Sequence, residues 1–204
     1  MPQKGLLVVI SAPSGTGKGT LLKRLSEKDK SIRCSVSATT RSPRKDEIDG
    51  KDYFFKTVEE FEKMISGDEL IEWVEYCDNY YGTPRQYVSE LLNEGYNVIL
   101  EIEVEGALKV RKKFPESILI FILPPSFAEL EKRIKSRGTE SLDTIKKRLE
   151  QARKEIQFIH NYDYVIVNSE IDKAAEEIRC ILVAESLRIN RNKEIINEIG
   201  GSAL

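Results

Sequence analysis

Three glycines, one lysine and four hydroxyl side chains fall within ten residues, Ser11-Ala12-Pro13-Ser14-Gly15-Thr16-Gly17-Lys18-Gly19-Thr20. Such a set suits the grip of a polyphosphate. A glycine-rich turn lets successive backbone N–H groups point at one anion, and a helix starting behind it adds the positive end of its dipole. Gly15 and Gly17 admit backbone angles that a Cβ resists, and Lys18 brings a mobile point charge for terminal phosphates. The spacing approximates G-x-x-x-x-G-K-[ST] with two departures: Ala12 holds the first glycine position and Gly19 the hydroxyl position. Thr20 comes one residue late, so a hydroxyl contact to a metal ion falls either to Thr20 or to a metal-bound water.

A second set lies further on. Arg41 and Arg44 flank Ser42-Pro43, and Tyr53 and Tyr81 follow. Two guanidinium forks with phenolic donors suit a phosphate monoester; surface arginines in a turn are the other reading of Arg-Ser-Pro-Arg. Glu72 sits in the largely apolar run Leu70-Ile71-Glu72-Trp73-Val74. Buried, its carboxylate needs donors. Guanine offers N1–H and a 2-amino group side by side, whereas adenine offers a lone pair at N1, so a buried carboxylate selects guanine. Strand alternation equally allows Glu72 to face solvent.

The elements that must position these groups read as follows. Apolar runs at Leu6 to Ile10, Val98 to Ile102, Ile118 to Leu123 and Tyr164 to Val167 look like buried strands, with helical patterns between them. That alternation predicts an α/β core with a mostly parallel sheet. The first run enters the glycine-rich turn and Leu21 to Leu25 leaves it as a helix, which is the context a phosphate loop requires. Gly95 is placed to end a helix over Val88 to Leu92. Two segments break the alternation. Residues 34–87 mix short strand-like pieces (Tyr53 to Phe55, Leu70 to Tyr76) with a helix from Val58 to Ile65, and read as an inserted subdomain. Residues 126–150 are dense in lysine and arginine, with Gly138-Thr139 between two helical halves, and read as a lid. Residues 1–33, 88–125 and 151–204 make up the remaining core. After Ile171 an amphipathic helix is expected, with Ala174, Ala175, Ile178, Ile181 and Leu182 on one face. The run from Ala184 to Ile199 is placed either on the core or on a second subunit, and Gly200 to Leu204 as a frayed end.

Composition narrows the class. The chain has 204 residues, 40% hydrophobic and 32% charged, with a formal net charge of -2, which fits a globular protein and argues against a nucleic-acid or membrane-surface binder. No apolar run approaches the roughly 18 residues that span a bilayer. The N-terminus shows no signal-peptide pattern. Cys34, Cys77 and Cys180 form no metal-ligand spacing and no disulfide set; they are expected to be small buried hydrophobes in a reducing cytoplasm. The one histidine, His160, is read as a structural or surface residue.

Taken in order, S-A-P-S-G-T-G-K-G-T, T-T-R-S-P-R, D-Y-F-F, I-E-W, N-Y-Y-G-T, L-E-I-E-V-E-G-A, F-I-L-P-P-S and R-G-T-E resemble the bacterial type of the guanylate kinase family, from Gly5 to about Arg188. The resemblance implies a phosphate-loop nucleoside-monophosphate-kinase fold. Its parts are a parallel sheet flanked by helices, a mixed α+β insert for the monophosphate, and a helical lid. It implies phosphorylation of GMP, and of dGMP, by ATP with Mg²⁺. By position, Ser14, Gly15, Thr16, Gly17, Lys18, Gly19 and Thr20 match the ATP phosphate loop. Arg41, Arg44, Tyr53 and Tyr81 match the holders of the GMP phosphate. Glu72, Gly82, Thr83 and Ser37 match the guanine site. Glu101 and Glu103 stand where the family usually has Asp: the first resembles an acid of the Mg²⁺ and water network, the second a contact to the guanine 2-amino group. Arg133, Arg137 and Arg148 match lid arginines, and Asn168 a position near adenine. Lys18, Arg41, Arg137 and Arg148 are the expected catalytic charges, with Thr20 and Glu101 at the metal through water. The expected partners are these nucleotides, with no nucleic acid and no membrane, in a monomer or homo-oligomer. The rival readings are a kinase of another nucleoside monophosphate and a non-catalytic module of the same shape.

Overall fold

The computed structural model describes residues 3–136 and 142–200. Its main sheet has five strands: β1 (Leu7–Ser11), β2 (Ile32–Cys34), β7 (Asn97–Glu101), β8 (Ile118–Leu123) and β9 (Tyr164–Val167). They lie in the order β2-β7-β1-β8-β9, and every pairing is parallel. All five residues of β1 are buried, because helices cover both faces, and this is why the strand reads as an unbroken apolar run. Alternation along β1 feeds two cores. Val8 and Ile10 join Leu21 and Leu25 of α1 (Lys18–Lys28) and Ala174 and Ile178 of α7 (Ile171–Ser186). Leu7 and Val9 face Val88 of α3 (Arg85–Asn93) and Val110 of α4 (Val104–Lys113).

Residues between β2 and α3 build a second sheet of four strands in the order β4-β3-β6-β5: β3 (Ala38–Thr39), β4 (Phe54–Phe55), β5 (Leu70–Tyr76) and β6 (Asn79–Pro84). The β5–β6 hairpin turns through Cys77 and Asp78, both with positive φ, 49° and 58°, the geometry that matches the twist of a two-residue hairpin. Helix α2 (Val58–Ser66) begins with a capping box. The Thr57 hydroxyl accepts from the Glu60 amide, and the Glu60 carboxylate accepts from the Thr57 amide. Its Phe61 is fully buried and stacks on Tyr80, with ring centroids 5.4 Å apart.

The basic segment supplies α5 (Phe127–Lys135) and α6 (Leu142–Ile156), packed through Leu130, Ile134, Ile145 and Ala152. The expected break at Gly138-Thr139 lies outside the described residues. Two expectations are corrected. All three cysteines are exposed rather than buried. The run from Tyr164 to Val167, expected as a buried strand, is the sheet's edge strand β9, with Ile166 buried but Val165 and Val167 51% and 46% exposed. Over the run from Ala184 to Ile199, α7 stops at Ser186, a 3-10 turn spans Ile189–Arg191, and α8 covers Lys193–Gly200. Gly200 is the last residue of α8, and 201–204 lie outside the described residues. No helix among the described residues is long and apolar enough to cross a membrane.

Candidate active site

The glycine-rich turn leaves the carboxyl end of β1, where the neighbouring strands β7 and β8 lie on opposite sides. Open α/β sheets bind ligands at such a switch point. Gly15 and Gly17 both take positive φ, 91° and 88°. A Cβ on Gly15 would also come within 2.8 Å of Ile134 in α5. Thr16 is buried and fastens the turn, its hydroxyl donating to the Pro13 carbonyl at 2.6 Å. Helix α1 starts at Lys18 with no side-chain cap, which leaves its first N–H groups facing the turn. Lys18 Nζ lies 3.8 Å from Glu101 Oε1 at the end of β7. Ser14, Gly19 and Thr20 are exposed around it.

Three segments far away in sequence brace this turn. Asn168, just after β9 and 3% exposed, donates through Nδ2 to the Thr16 carbonyl at 2.8 Å. Arg133 of α5 donates to the same carbonyl at 3.1 Å and to the Asn168 carbonyl at 3.3 Å, while Glu129 accepts from its Nε. From α6, Arg148 Nη2 reaches Ser14 Oγ at 2.5 Å. The structure therefore brings Arg133, Arg148 and Asn168 together on the loop. Arg137 lies outside the described residues.

The insert carries the second cluster. Arg41 sits against the Tyr53 ring, 5.4 Å from its centroid, and Tyr53 meets Tyr81 edge-on at 6.2 Å. Arg44 is spread into solvent, its side chain 78% exposed. Ser37 belongs to the same wall, its carbonyl accepting from Phe54 N.

Deeper in, Glu72 of β5 is 4% exposed and accepts from the Thr83 hydroxyl of β6 at 2.8 Å. Burial pushes its carboxyl above the ordinary range, although the Thr83 bond and Lys109 oppose that. Of the two readings of Glu72, the buried one holds. A register shift between Leu70 and Trp73 breaks the alternation of β5 there. Gly82 lies beside it in β6, where a Cβ would strike the Glu72 carbonyl at 2.9 Å. Glu103 stands at the N-cap of α4 without a side-chain cap bond.

Sequence reasoning missed two acids. Glu47 holds Arg41, with both carboxylate oxygens within 2.9 Å of Arg41 Nη2; nothing in the loop sequence distinguishes it from neighbouring Asp46 or Asp49. Glu155 of α6 is buried, and burial raises its carboxyl, with Glu103 adding to the rise and Lys18 opposing it. Helical periodicity could have placed Glu155 on the inner face with Ala152.

Among the described residues no cluster of three or more acidic, histidine or cysteine side chains could hold a metal. A magnesium ion carried by a nucleotide asks for less, since phosphate oxygens and waters supply most of its ligands and the protein one or two. Exposed Thr20 and the Glu101 carboxylate beside Lys18 fit that smaller demand.

Sheet, loop and basic arms together define an α/β phosphate-loop kinase-like fold. The family model for guanylate kinase matches residues 4–185. A guanylate kinase of Caldanaerobacter subterraneus subsp. tengcongensis is 53% identical over 197 residues, covering 97% of this chain and 96% of its own. That of Halalkalibacterium halodurans is 53% identical over 189 residues, 93% of each. The crystal structure of guanylate kinase from Anaplasma phagocytophilum superposes with a TM-score of 0.77 at 35% identity, covering 97% of this chain and 96% of that one. The chain belongs to the guanylate kinase family, enzymes that phosphorylate GMP to GDP with ATP.

Proposed function

We propose that this chain transfers the γ-phosphoryl group of ATP directly and in line to the phosphate of GMP or dGMP, in purine nucleotide recycling in the cytoplasm. The buried Glu72–Thr83 pair carries the reading of the acceptor. An ionised carboxylate receives guanine N1–H and the 2-amino group, and a neighbouring hydroxyl completes an edge that adenine cannot match. Gly82, Ser37 and Glu103 line the same guanine site in this reading.

Residues 34–87 act as the acceptor arm. Arg41, Arg44, Tyr53 and Tyr81 take the GMP phosphate; the packing of Arg41 against the Tyr53 ring, which meets Tyr81 edge-on, supports this. The loop from Ser14 to Thr20 takes the ATP phosphates on the core formed by 1–33, 88–125 and 151–204. Residues 126–150 close over them, with Arg133 and Arg148 already at the loop and Arg137 expected beside them. Asn168 borders the adenine. When bound, Mg²⁺ neutralises charge on the transferring phosphates, with Thr20 and Glu101 as its holders through water.

The attacking GMP phosphate is already an anion, so no strong general base is required. Catalysis is positioning and the neutralisation of spreading charge by Lys18, Arg41, Arg137 and Arg148. Closure excludes water, which would otherwise accept the phosphoryl group. Transfer from ATP made chiral at the γ-phosphorus tests the direct step. Inversion at phosphorus is expected; retention would mean a covalent enzyme intermediate and overturn it.

A further inference from the structure

Arg41 and Arg44 lie three residues apart and are nonetheless held very differently. The Arg44 side chain is 78% exposed, whereas that of Arg41 is 19% exposed and fixed. Glu47 places Oε1 at 2.8 Å and Oε2 at 2.9 Å from Arg41 Nη2. The Ser42 carbonyl accepts from Arg41 Nη1 at 2.7 Å. The rings of Tyr53 and Phe55 lie 5.4 and 5.9 Å from the guanidinium carbon.

Glu47 is itself immobilised. Its Oε2 accepts from the Arg44 amide at 2.8 Å, and its own amide donates to the Arg44 carbonyl at 3.1 Å. The carboxylate is thus tied to the backbone of the turn that carries both arginines. It is an anchor and not a loose anion waiting to be exchanged. A guanidinium has five N–H donors in one plane, so this hold does not exhaust Arg41. It fixes the plane in which the remaining donors meet an incoming phosphate.

We propose that Glu47 is a positioning residue of the acceptor site, holding the Arg41 guanidinium in the orientation that receives the phosphate of GMP. The proposal rests on the reading that Arg41 binds that phosphate. It assigns to Glu47 no contact with substrate. A long side chain that is already ordered has less freedom to lose on binding, and the gain appears in affinity.

The test compares Glu47→Gln, Glu47→Asp and Arg41→Ala in the full chain, by steady-state kinetics and by calorimetric titration with GMP and with guanosine. Glu47→Gln is expected to raise the KM for GMP about tenfold, as loss of a pre-ordered contact does. The effect falls on KM rather than kcat, and the KM for ATP and the Kd for guanosine, which has no phosphate, stay where they are. Glu47→Asp, which keeps the charge, is expected to restore part of the GMP affinity. An unchanged or lowered GMP KM in Glu47→Gln, with a raised one in Arg41→Ala, overturns the role of Glu47 and leaves Arg41 at the phosphate. If Arg41→Ala also leaves GMP binding unchanged, the acceptor-site reading falls with it. A parallel loss of guanosine binding in Glu47→Gln means damage to the whole insert, and that outcome too overturns the proposal.

Discussion

Thr83 donates its hydroxyl to Glu72 Oε1 at 2.8 Å across the β5–β6 hairpin, in a site where Glu72 is 4% and Thr83 1% exposed. One carboxylate oxygen is thereby satisfied inside the protein, and the other lies against the backbone of Gly106 in α4. A charge kept this far from water costs stability unless a ligand supplies donors.

Glu72→Gln should therefore gain stability and lose selectivity. The Glu72 carboxyl is raised by burial, so the folded state holds its proton more tightly than the unfolded state. Stability then falls as pH rises from the ordinary carboxylate range through the raised pKa, and the full cost is present above it. At pH 7–8 the variant should melt higher, by about 2–4 °C for each kcal/mol removed, and the gap should close as pH falls below the ordinary carboxylate range. The preference for GMP over AMP should weaken at the same time. Thermal melts across pH and a comparison of kcat/KM for the two acceptors check both halves.

Gly106→Ala tests the other oxygen. A Cβ there would lie 2.9 Å from Glu72 Oε2 and 3.4 Å from Ile102 Cδ1. Alanine favours a helix interior over glycine by about 1 kcal/mol, so the fold should survive. The displaced carboxylate should raise the GMP KM about tenfold, as a mispaired polar contact does, with the ATP KM unchanged. Kinetics with each nucleotide varied in turn decide it.

The parallel core is legible in the sequence because β1, β7 and β8 are buried apolar runs divided by helical periodicity, whereas β9, at the sheet edge, is an apolar run with only Ile166 buried. The phosphate loop is legible because its chemistry is local: Gly15, Gly17 and Lys18 are adjacent in the chain. The short strands β2, β3 and β6 are not legible. At three, two and six residues they carry too little alternation, and β6 overlaps the Asn79-Tyr80-Tyr81-Gly82-Thr83 motif, which reads as site residues instead. The burial of Glu72 was open from the sequence because the irregular β5 register decides it. The hold of Glu47 on Arg41 depends on loop geometry, which has no periodicity to read.

Lys18→Ala should lower turnover by about 10²-fold or more, as for loss of a preorganised phosphate contact. Its melting temperature should change little, because the Lys18–Glu101 pair is long at 3.8 Å and partly exposed. Near-normal steady-state activity would sink the phosphate-loop role.

Arg148→Ala removes the bond from α6 to Ser14. It should lower kcat by about 10²-fold, in line with loss of one charge at the transferring group, and leave the Kd for GMP unchanged. Single-turnover kinetics beside GMP titration separate the two, and a loss of GMP affinity equal to the loss of rate would contradict the assignment.

The most direct test is ADP release with ATP and Mg²⁺, offering GMP, dGMP, AMP, UMP and dTMP in turn. Turnover confined to GMP and dGMP is the expected result if the Glu72–Thr83 edge reads guanine as proposed. Comparable turnover of AMP, UMP or dTMP would contradict that recognition, and GMP binding without turnover would contradict the kinase mechanism itself.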